Sequence, residues 1–174
     1  MKSLVFVFVL AVAVLSLPAM AGEPSAAENS FATMKALAGT WQGRVTTDPP
    51  TPEADNKAVE VSLRVTSMGN ALVHEMTLEG RPDHPVTMFY VDDNRLMLTH
   101  YCDAGNRPRM TARTPTQGKT VEFDFLDLSG GNEHGHMHHA LFTVLNRDRH
   151  SEDWTYMGPG NTPVRAHLDL ERTK

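Results

Sequence analysis

His100 and Cys102 stand two residues apart in the run Leu96-Met97-Leu98-Thr99-His100-Tyr101-Cys102. On an extended strand they share a face with Leu96 and Leu98, which marks that face as the inner one. An imidazole and a thiol pointing inward together could ligate a transition metal or a haem, or orient the polar end of a ligand. Beyond the turn Gly105-Asn106, Arg107 and Arg109 bring guanidinium groups that could hold a carboxylate bidentately. The same residues also suit a plain buried network, with Arg and Asn106 satisfying backbone carbonyls and His100 making two hydrogen bonds.

A second cluster is the tract His134-Gly135-His136-Met137-His138-His139. Histidine-rich tracts bind zinc, copper or nickel, and Met137 suits reduced copper. If a strand begins at Met137, His136 and His138 share one face and His139 takes the other. At most two or three of the ligands then converge, and beside Gly130-Gly131 the tract also reads as a solvated loop. The third cluster is His150 with Glu152, Asp153, Trp154 and Tyr156. Adjacent strand residues face opposite ways, so Glu152 cannot pair with Asp153 but can act with His150, and a turn rim is the ordinary expectation. Trp154 and Tyr156 share a face and close the core or line a pocket. No nucleophile elbow, phosphate loop, dinucleotide fingerprint or paired-cysteine zinc motif is present.

These residues sit in a chain whose patterning has period two for most of its length. Val59, Val61, Leu63 and Val65 alternate with Glu60, Ser62, Arg64 and Thr66, which is a half-buried strand. Turn signals such as Gly69-Asn70, Asp92-Asp93-Asn94, Gly105-Asn106 and Gln117-Gly118 divide the remainder into short strands. The spacing predicts ten, over 40–46, 59–66, 71–78, 86–91, 96–102, 107–113, 121–126, 137–145, 150–157 and 164–170. Before them, Ser30 is placed to cap a short helix through Phe31, Met34 and Leu37 that ends at Gly39. Sequential hairpins without intervening helices predict an all-β domain, a single antiparallel up-and-down barrel with a short N-terminal helix.

The segment Leu37-Ala38-Gly39-Thr40-Trp41-Gln42-Gly43 resembles the Gly-x-Trp opening of lipocalin-like, or calycin, barrels, in which a first-strand tryptophan closes one end. The string from Leu96 to Cys102, continued through Gly105-Asn106-Arg107-Pro108-Arg109-Met110, resembles a group of secreted bacterial lipocalin-like proteins of mostly unassigned function. Together the resemblance covers residues 31–172 and implies a barrel with an interior ligand site. It is similar in outline also to the haem-binding nitrobindin barrels, although their full motif is not matched here and no axial histidine carries over by position.

Lys2, the apolar run 4–15, Pro18 and Ala19-Met20-Ala21 have the layout of a secretory signal peptide. The expected organisation is a leader over 1–21, a flexible lead-in over 22–30 and the barrel over 31–174. Export places the mature chain in the periplasm or outside the cell, with no membrane-spanning segment. Removing the leader, whose one charge is Lys2, takes the net charge from −5 to −6. That balance argues against nucleic-acid partners. Cys102 is the only cysteine, so no internal disulfide forms, and a buried small hydrophobe is its ordinary role.

The function expected is binding of a small apolar or amphipathic ligand, with Trp41, His100, Cys102, Asn106, Arg107, Arg109, Trp154 and Tyr156 as candidate contacts. The alternatives are a haem or transition-metal protein using His100 or the tract His134, His136, His138 and His139, and an enzyme built in the barrel mouth. No catalytic residue is singled out.

Overall fold

The computed structural model describes residues 23–114 and 119–173; the expected leader and the Gln117-Gly118 turn lie outside them. Helix α1 (Ala26–Lys35) precedes β1 (Gly39–Asp48), β2 (Ala58–Thr66), β3 (Ala71–Leu78), β4 (Val86–Asp92) and β5 (Arg95–Tyr101). Then come β6 (Arg107–Ala112), β7 (Thr120–Ser129), β8 (His136–Val144), β9 (Arg149–Gly158) and β10 (Thr162–Arg172). Each strand pairs antiparallel with its sequence neighbours, and β1 closes on β10, so the chain forms the expected ten-stranded barrel.

The period-two pattern decides which side of each strand faces in. On β2, Val59, Val61 and Leu63 are buried between solvent-facing neighbours. The seam between the first and last strands pairs Trp41 with Arg172 and Val45 with Leu168. Gly43 lies within it, where a Cβ would come 1.8 Å from the Asp169 carbonyl oxygen. A glycine is required for the two backbones to approach so closely.

The helix opens earlier than expected. Ser25, not Ser30, caps it: Glu28 N–H donates to Ser25 Oγ at 3.2 Å, and the Glu28 carboxylate accepts from Ser25 N–H at 2.7 Å. This reciprocal capping box draws Ala26 to Asn29, expected as lead-in, into the first turns. Ser30 is instead buried inside the helix, donating to the Ala26 carbonyl at 2.8 Å. The apolar face is as expected, with Phe31, Met34 and the following Leu37 all buried.

That face plugs one end of the barrel, packing toward β2, β4, β5 and β7. Trp41 is fully buried there, its Nε1–H donating to the Leu37 carbonyl at 2.9 Å and the Arg172 guanidinium lying 4.0 Å from its ring centre. Phe89, Phe123 and Phe142 fill the adjoining interior with edge-on and tilted contacts, each ring contributing roughly 1.5–3 kcal/mol through burial. These side chains fill the part of the barrel next to the helix. No helix among the described residues is long and apolar enough to cross a membrane.

Candidate functional site

Beyond the packed half the interior is hollow. A cavity of about 450 Å³ opens at the end opposite the helix. Its walls are apolar, from Val45, Met76, Leu78, Val164, Ala166 and Leu168, and its polar groups are His74, His100 and a set of side chains at the mouth. A few convergent polar groups in an apolar concavity is the usual make-up of a small-molecule site.

The floor follows from strand periodicity. On β9 the inward column is His150, Glu152, Trp154 and Tyr156, which runs from the packed half to the cavity. On β3 the corresponding column is Leu72, His74, Met76 and Leu78, and on β5 it is Leu96, Leu98 and His100. His74, His100 and Trp154 line the cavity, whereas Glu152 and His150 are completely buried and do not. The Trp154 ring stands 5.7 Å from both the His74 and His100 ring centres.

Glu152 ties this level together. Its carboxylate lies 3.0 Å from His74 Nε2, 3.0 Å from His150 Nε2 and 2.9 Å from Trp154 Nε1. Because a carboxylate only accepts, all three nitrogens carry hydrogens directed at it. Burial alone would raise the carboxyl, but the charge of His74 and the hydrogen bonds from His150 and His74 hold it well below the usual carboxylate range. Glu152 is thus an ionised group inside the barrel, and it fixes the Nε2–H of both histidines toward itself. The other nitrogens, His74 Nδ1 and His150 Nδ1, are buried without hydrogen-bond partners.

His100 differs from these two. Its Nδ1 meets the Thr87 hydroxyl at 2.8 Å, and among the described residues Nε2 has no partner. Burial, with the neighbouring His74 charge, lowers its pKa to about 4. At ordinary pH His100 is a neutral imidazole at the cavity floor with one nitrogen left for an occupant.

At the mouth, Arg81 pairs with Asp83 at 3.0 Å and with Asp103, which links the β3–β4 loop to the β5–β6 loop. Glu53 lines the same opening. Cys102 also lies on the lining, where burial pushes the thiol up to about 11, so it remains protonated and inert as a nucleophile.

The remaining sequence candidates divide clearly. Tyr156 lines the cavity, and its hydroxyl donates to the His134 carbonyl. Trp41 belongs to the plugged end and does not line the cavity. Asn106 is buried but structural: its Nδ2 donates to the Gly131 and Gly135 carbonyls at 2.9 and 2.8 Å, tying two loops together. Arg107 and Arg109 are exposed, bonded to Ser129 and Asp127 across β6 and β7, so neither guanidinium reaches the interior. Strand alternation puts them opposite buried Pro108 and Met110.

The histidine tract converges only in part, with His136 and His138 together and His139 apart, as expected. His136 and His138 meet at 3.1 Å between Nε2 and Nδ1, helped by a bulge in β8 between Met137 and His139. His136 is further held by Asn132 at 2.8 Å. His139 pairs instead with Glu122 at 3.0 Å. Among the described residues, Glu122, Asp124 and His139 form the only group of three close metal-ligating side chains, and Arg113 is ion-paired with both of its carboxylates. A cation there would have to displace that guanidinium.

Sequence reasoning passed over His74 and placed Glu152 on a turn rim. The alternation of Leu72, His74, Met76 and Leu78 on β3 was the available signal for the first. For Glu152 the expected partnership with His150 is present, but in the interior.

No protein-family model and no curated protein matches the chain. Among the solved structures that share its fold are two with different chain lengths. The crystal structure of Rv2717c from M. tuberculosis is 14% identical, with a TM-score of 0.60 over 83% of this chain and 98% of that one. A protein of unknown function from the DUF3598 family of Nostoc punctiforme is 11% identical, with a TM-score of 0.54 over 80% of this chain and 49% of that one. Fold and site together define a lipocalin-like barrel, plugged by a helix at one end and hollow at the other.

Proposed function

We propose that this protein binds a small, largely apolar molecule inside its barrel, and that it does so as an exported protein of the cell envelope or its surroundings. The observation that carries the reading is the cavity of about 450 Å³, walled by aliphatic side chains and floored by imidazoles. Its size fits a compact ligand, and its apolar walls favour transfer of such a ligand from water. The leader-like residues 1–21 support the exported setting, and a mature chain starting at Gly22 is the expected result of N-terminal mass analysis.

The test of binding is fluorescence of N-phenyl-1-naphthylamine, a neutral apolar probe, with wild-type protein and Ala166→Trp. Ala166 lies on the cavity wall, and an indole there takes up a substantial part of the space the probe needs. Enhanced, blue-shifted emission with the wild type and its loss in the variant are expected. Equal emission from both would place the probe elsewhere and remove the reading.

A haem-binding reading is favoured by one observation, the partner-free Nε2 of neutral His100. A histidine that would hold a haem iron needs that state, and the Thr87 contact would orient the ring. Titration with haemin tests it: a Soret shift lost in His100→Ala would support an axial bond, and an identical spectrum in both proteins would dismiss it.

A further inference from the structure

We infer that the cavity selects against anions, taking neutral or cationic amphipathic molecules that carry a hydrogen-bonding group at the buried end. The inference rests on the binding reading above and adds the chemical class of the ligand. Two independent observations support it, one at each end of the cavity.

At the floor, a carboxylate or phosphate would need a counter-charge. His100 is uncharged at ordinary pH, and the Nε2–H of His74 is already given to an ionised Glu152. An incoming anion would therefore find the N–H groups of the floor already committed to Glu152 and no unpaired cation to meet it, which a poorly solvated site penalises heavily. A hydroxyl carries no charge to compensate, and an ammonium would lie near the ionised Glu152, an opposite charge that offsets its desolvation. Either can hydrogen-bond with His100 Nε2, a nitrogen on a residue 5% exposed that has no partner among the described residues.

At the mouth, Arg81 is the one guanidinium or ammonium group on the lining among the described residues, and it is shared between Asp83 and Asp103. With Glu53, three carboxylates face one arginine. The potential met by an entering molecule is negative, which attracts cations and repels anions. An anion could recruit Arg81 only by breaking its two existing pairs.

The experiment displaces N-phenyl-1-naphthylamine from wild-type protein with decan-1-ol, decylamine and decanoate, three molecules with the same apolar chain. Decanol and decylamine are expected to compete about tenfold or more better than decanoate at low salt, with the amine's advantage shrinking as salt rises. The variant Asp83→Asn/Asp103→Asn releases Arg81, so decanoate should gain relative to decanol. If decanoate competes as well as decanol in the wild type, the selectivity is refuted while the cavity reading stands. If the probe itself does not bind, both fall together.

Discussion

Glu152 concentrates more of the interior's electrostatics than any other residue. A carboxylate without exposure is tolerable because three N–H groups aim at it, and removing one side of such an arrangement costs more than the arrangement contributes. Glu152→Gln puts an NH₂ among donors and should lower stability by about 3–5 kcal/mol in urea unfolding. A variant as stable as wild type would show that the network is not ionised. His100 makes a second prediction, through pH. Its folded pKa near 4 lies below the ordinary 6.5, so the unfolded chain takes up the proton first. Stability is therefore full above that window and lost as pH falls through it, by up to on the order of 3 kcal/mol. Glu152, held low when folded, adds loss in the same direction at more acid pH. The urea midpoint should fall between pH 7 and 4.5, less steeply in His100→Leu, and parallel slopes would sink the assignment. At this scale the sequence was partly legible. The inward face of His100 and the partnership of His150 with Glu152 follow from strand alternation. Arg107 and Arg109, expected as ligand contacts, turn outward instead, which the same rule explains once Pro108 and Met110 are seen to be buried. What periodicity could not supply was the contact between His74 and Glu152, which are 78 residues apart.

The elements were the most legible layer. Ten strands stood out because each keeps one face apolar, and turns between them carry glycine or asparagine. Two features escaped because they depend on particular pairs. The helix start lay in Ser25 and Glu28, a capping box spaced like many unremarkable Ser and Glu pairs. The bulge at His138 altered the expected geometry of its tract. Gly43→Ala tests the close approach of β1 and β10. Its methyl group would collide with the Asp169 carbonyl, so a loss of at least about 2 kcal/mol is expected by thermal or urea unfolding. A neutral effect would mean the strands can separate there at little cost. Asn106→Ala removes two hydrogen bonds to loop carbonyls and should cost about 1–3 kcal/mol while leaving probe binding intact. Loss of probe binding at unchanged stability would instead put Asn106 in the ligand site.

For the whole molecule, the plugged and hollow halves divide stability from binding. Phe, Leu and Met side chains at the helix end hold the fold, and the hollow end leaves its space to the proposed ligand. The closure of the barrel also has a consequence in time. Nine of the ten strand pairings join sequence neighbours and can form as hairpins while the chain emerges. The tenth, between β1 and β10, waits for residues up to Arg172 to meet Trp41. Until then the sheet has two bare edges, each able to pair with another chain. A nascent chain halted before β10 would have every other strand in place and still be open to edge-to-edge aggregation. The last eleven residues of the sheet therefore act as its clasp, and their arrival, rather than the formation of any hairpin, sets when the molecule becomes safe from its own copies.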